Sequence, residues 1–96
     1  MRIVVLDFET EYGDDYTLSK MSTESYIRDP RFRAHGAAIK WSKHHAAIWY
    51  DEPKLRQVLA DEDWSDVFLI CHHMQFDGLI LSHHYDVHPA MLGCTL

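Results

Sequence analysis

The chain has 96 residues, 47% of them apolar and 25% charged, and a formal net charge of −6. That length holds one small domain around one core, and that composition argues against disorder. The acidic balance argues against a passive nucleic-acid binder, which would carry a basic patch, but not against a nuclease whose metal ions supply positive charge.

Residues 2–8, RIVVLDF, are apolar on both faces and predict a central strand covered on each side. Residues 10–31 are polar and broken, and the STES within them predicts the cap of a short helix. Residues 32–41 and 45–50 read as two strands joined by Ser-Lys-His, an antiparallel hairpin. Asp51 is placed to cap a helix over 52–60, with Pro53 in its first turn and Leu55, Val58 and Leu59 as its buried stripe. VFLICH, 67–72, reads as a short buried strand. Residues 74–85 read as a helix with Phe76, Ile80 and His83 or His84 along one side. Gly78 either weakens that helix or marks close packing. The tail breaks at Pro89, and the terminal GCTL begins a further strand or turn.

This order implies an α/β layer fold with one mixed sheet and flanking helices. Its first three strands are antiparallel. Strand 67–72 lies beside strand 3–8 and parallel to it, reached through the preceding helix. Residues 1–96 show no linker and no repeat, so they form a single domain. Cys71 and Cys94, the two cysteines, fit reduced core thiols better than a disulfide. No apolar run has membrane-spanning length and no signal-like start is present, so the expected location is the cytoplasm.

The chemistry concentrates at the end of the first strand. Asp7 and Glu9 are two positions apart, so their side chains share a face and repel. Ligands of open α/β sheets bind at the C-terminal strand edge, where these residues sit. Asp77, in the first turn of the helix after strand 67–72, lies near the same edge. Three carboxylates from two neighbouring elements suit Mg²⁺ or Mn²⁺, and a pair of such ions activates water and stabilises a leaving oxygen.

VLDFET together with HHMQFDGLIL resembles the 3′→5′ proofreading exonuclease domain of phage and bacterial family A DNA polymerases. That domain belongs to the DEDD, or DnaQ-like, group of ribonuclease H-like folds. Asp7 and Glu9 match its Asp-x-Glu motif, and Asp77 matches the aspartate of its second motif. YTLSKMSTESYIRDPRF and CTL resemble neighbouring segments of phage members. His73 stands where the family usually has asparagine. The family's third motif, a Tyr or His with a last Asp, has no match, so the chain resembles the front part of such a domain, C-terminally truncated.

The resemblance implies a ribonuclease H-like fold and hydrolysis of single-stranded DNA from its 3′ end, with release of a nucleoside monophosphate. It implies Asp7, Glu9 and Asp77 as catalytic metal ligands for two Mg²⁺ or Mn²⁺ ions. It implies that Phe8, Thr10, His73 and Phe76 lie near the 3′-terminal nucleotide. A polymerase domain or a second copy of the chain would be the protein partner, and host cytoplasm the location of a phage-encoded form. A non-catalytic module that binds metal, nucleotide or polymerase is the alternative.

Plainer roles stand beside these. Asp7 and Glu9 are a solvated strand end and Asp77 a helix-start carboxylate. Phe8 and Phe76 are core, and Trp41, Trp49 and Trp64 are packing residues. His72 bonds a backbone group beside the site. His44–His45 and His83–His84 are surface or helix-end residues, and Asp61-Glu62-Asp63 is a solvated helix end.

Overall fold

Alternation sorts the first strand, β1 (Arg2–Thr10), into two faces: Val4, Leu6 and Phe8 are buried, whereas Ile3, Asp7 and Glu9 are exposed. The structure is a computed structural model that describes residues 1–94. β1 pairs antiparallel with β2 (Ala34–Lys40), and β2 pairs antiparallel with β3 (Ile48–Asp51). On its other side β1 runs parallel to β4 (Val67–Cys71), which runs parallel to β5 (Met91–Cys94). The five-stranded mixed sheet has the order β3-β2-β1-β4-β5, as in ribonuclease H-like folds. Gly93 and Cys94 of the tail close β5, and the Thr95–Leu96 part of that expectation lies outside the described residues.

Three helices complete the described fold. α1 (Thr23–Arg28) starts at Ser22, whose hydroxyl accepts from the Ser25 amide at 3.1 Å. α2 (Glu52–Asp61) starts after Asp51, as expected, but the Asp51 carboxylate makes no cap bond. It accepts from the Trp49 indole N–H at 2.8 Å instead. α3 (Met74–His84) follows β4.

α2 and α3 pack on the face that carries Val4, Leu6 and Phe8, and α1 packs on α3. Leu55 and Leu59 of α2 and Ile80 and Leu81 of α3 join Leu69 and Ile39 of the sheet in one buried cluster. Phe8 stacks on Tyr85, centroids 5.9 Å apart, and the Tyr85 hydroxyl donates to Glu52, which ties the end of α3 to α2. Gly78 marks close packing: a Cβ there would stand 3.3 Å from a methyl of Leu92.

The expectation of cover on both faces does not hold among the described residues. The second face leaves Ile3 55% and Met91 48% exposed. Apolar residues on both sides of a strand state what could be buried, and helix placement decides what is. One smaller expectation also changes. Cys94 is an exposed thiol rather than a core one. His84 is half-buried, with its ring stacked 4.3 Å from that of Phe32 and its Nε2 2.7 Å from the Ile27 carbonyl oxygen. It keeps the helix-end place expected of it, as the last residue of α3, and fastens α3 to α1. No helix among the described residues is long and apolar enough to cross a membrane.

Candidate metal centre

The ladder between β1 and β4 ends at the pair Leu6–Cys71. Asp7 therefore has a strand neighbour, Ala38, on its β2 side and none from β4. Beyond Cys71 the chain turns through His72 and His73 into α3, whose first turn carries Asp77 across the end of β4. A carboxylate from the helix-covered side and one from the open face thus approach each other around a strand terminus.

Asp77 is only 1% exposed, and its Oδ2 has no hydrogen-bond partner. Burial, reinforced by the nearby charge of Asp7, pushes its carboxyl up to about 7, although a hydrogen bond with the Cys71 thiol pulls the other way. Cys71 is pushed up to about 12, first by its own burial and then by the charge of Asp77, so it stays an unreactive thiol. An orphaned buried carboxylate oxygen costs free energy unless something positive satisfies it.

That oxygen, with Asp7 beside it, fits a hard divalent cation such as Mg²⁺ or Mn²⁺. Glu9 is exposed on the same face as Asp7, one row further along β1, opposite Gly36. Two residues of strand carry it about 7 Å further from the Asp7 position. Among the described residues no three His, Cys, Asp or Glu side chains form a group able to hold an ion. Asp7 and Asp77 lie within electrostatic reach of each other, and Glu9 shares the open face with Asp7.

The chain matches no family model, no curated protein and no solved structure.

The four residues expected near a terminal nucleotide fall in different places. Phe8 takes the plainer role given it: at 6% exposure, its ring lies in the core against Tyr85, on the face opposite Asp7 and Glu9. Thr10 is half-buried, and its hydroxyl lies 2.9 Å from that of Tyr26. Phe76 is half-buried, 5.8 Å from the ring of Tyr26.

His73 is the N-cap of α3, and its Nδ1 accepts from the Phe76 amide at 3.3 Å. Imidazole here does the work that an asparagine side chain does at an N-cap. His73→Ala is expected to lower stability by about 1 kcal/mol, and His73→Asn to lower it much less. Urea denaturation of the two variants measures the difference.

One candidate residue escaped the sequence reading. Trp49, read there as packing, is 47% exposed. Its neighbours in the sheet, Ala38 and then Asp7, place it in the same row and on the same face as the first carboxylate. Only the strand registers reveal that row. Trp41 and Trp64 do pack: their rings stack 6.0 Å apart, and Trp64 donates to the Leu59 carbonyl.

Proposed function

We propose that the chain carries the first two carboxylate motifs of a metal-dependent 3′→5′ DNA exonuclease of the family A polymerase proofreading type. One observation carries the reading: buried Asp77, with an unpartnered oxygen, lies within the electrostatic reach of Asp7 at the C-terminal end of β1. The strand order and the Asp-x-Glu spacing agree with it.

On this reading Asp7 and Asp77 are the hard oxygen ligands, and Glu9 extends the acidic face toward the substrate side. A bound divalent ion supplies charge for an attacking water and for the leaving 3′ oxygen of the DNA. Asp77 must give up its proton to bind the ion, so binding below neutral pH releases protons. The burial that raises Asp77 also keeps water from competing for its oxygen. The substrate is a single-stranded DNA 3′ end, and a polymerase domain or a second copy of the chain is the protein partner.

Incubation with 5′-labelled single-stranded DNA and Mn²⁺ tests the proposal. The expected result is a ladder shortened from the 3′ end, lost in Asp7→Ala. An intact substrate at high protein concentration would refute exonuclease activity of this chain. The lack of a three-ligand group among the described residues favours a second reading, a module that binds metal or nucleotide without turnover. Calorimetric titration with Mn²⁺ that shows binding beside an intact substrate selects that reading.

A further inference from the structure

We propose that the Trp49 indole is the platform on which the base of a DNA 3′-terminal nucleotide stacks, beside Asp7 and Glu9. The assignment rests on the nuclease reading and adds to it the group that grips the base.

Four observations converge. Trp49 is 47% exposed on the sheet face that carries the two carboxylates. Register places Asp7, Ala38 and Trp49 in one row, and Glu9, Gly36 and Asp51 in the next. The ring leans across β2: its Cζ2 and Cη2 stand 2.7 and 3.1 Å from where a Cβ on Gly36 would be. Its Nε1–H donates to Asp51 at 2.8 Å, which fixes the ring's rotation.

The indole therefore leans over Gly36, the one residue of β2 without a side chain, from its own row beside Ala38. One strand spacing, about 5 Å, separates β2 from β1. A nucleotide with its phosphate at the Asp7–Asp77 end needs only that step to lay its base on the ring. Stacking on an aromatic face is indifferent to base identity, as an enzyme acting on any 3′ end requires. The carboxylate of Asp51 at the N–H edge makes the ring more electron-rich and orients it before substrate arrives. The plainer role for Trp49 is to shield Gly36 and Ala38 from water, and that role predicts no preference for a base.

Calorimetry with deoxyadenosine monophosphate and with 2-deoxyribose 5-phosphate, both in Mg²⁺, separates the roles. The wild-type chain is expected to prefer the nucleotide. Trp49→Leu is expected to lose roughly 5- to 150-fold of that preference, the range of one base–aromatic stack, and Trp49→Phe to keep most of it. Nucleotide is also expected to quench wild-type tryptophan fluorescence, a readout that needs no variant to fold. A Trp49→Leu protein that keeps the full preference overturns the platform and leaves the nuclease reading standing. A wild-type chain that binds neither compound overturns the nuclease reading and the platform with it.

Discussion

Asp77→Asn is expected to stabilise the metal-free protein at pH 8 while abolishing its response to Mg²⁺ or Mn²⁺. In the folded chain the Asp77 carboxyl sits at about 7, raised by burial and then by Asp7. An unfolded aspartate titrates near 3.9. The folded state thus holds this proton more tightly. The stability it contributes is full below about pH 4 and is lost as pH rises through about 7. Roughly three units at about 1.4 kcal/mol each give a swing on the order of 4 kcal/mol. Asparagine keeps the shape and has no charge to bury, so the variant should lack this part of the pH dependence. Urea melts of both proteins in EDTA at pH 5 and pH 8 isolate it, because every other titrating group is common to the pair. Parallel pH profiles would show that Asp77 is not a buried acid. Adding Mn²⁺ at pH 8 should raise the wild-type melting temperature and leave that of the variant where it was, since binding to the folded state alone stabilises by mass action. A residue that weakens the empty protein and strengthens the loaded one is shaped for its ligand rather than for the fold.

Gly36→Ala is expected to lower stability by about 2 kcal/mol or more. A Cβ at this position would stand 2.2 Å from the Tyr50 carbonyl oxygen and 2.7 Å from the Trp49 ring. The ring can swing aside, but the carbonyl belongs to the backbone of β3, so the two strands must part. Overpacking of this kind typically costs 1–3 kcal/mol. Gly13→Ala provides the control, because nothing lies within 4 Å of the Cβ it would add. Denaturant midpoints for the two variants should differ clearly, with Gly13→Ala near wild type. A Gly36→Ala protein as stable as wild type would show that β2 and β3 do not approach as closely as described. The same substitution displaces the indole, so tryptophan fluorescence should change with it.

Much of the fold was legible in local pattern. The apolar run of RIVVLDF, the Asp51–Pro53 start of α2 and the Leu55/Leu59 stripe all declare themselves over a few residues, because alternation and capping are local. The polar stretch 10–31 hid more than it declared. Tyr16 and Tyr26 lie in it, yet both are buried, their rings stacked 4.4 Å apart. Aromatic residues dispersed among polar ones carry no period, and their packing depends on the distant α3.

The candidate site divides in the same way. Asp7 and Glu9 share a face because strands alternate, and Asp77 falls in the first turn of the helix that the 74–85 run declares. These follow from the chain alone. That Asp77 is buried next to Asp7, that Phe8 faces the core, and that Trp49 joins the row of Asp7 do not. They depend on where the β1–β4 ladder ends, on which face the helices cover and on the β1-β2-β3 register. Local sequence sets the direction of a side chain relative to its own strand or helix. What it meets is set by pairings between residues far apart in the chain, and only the assembled sheet decides those.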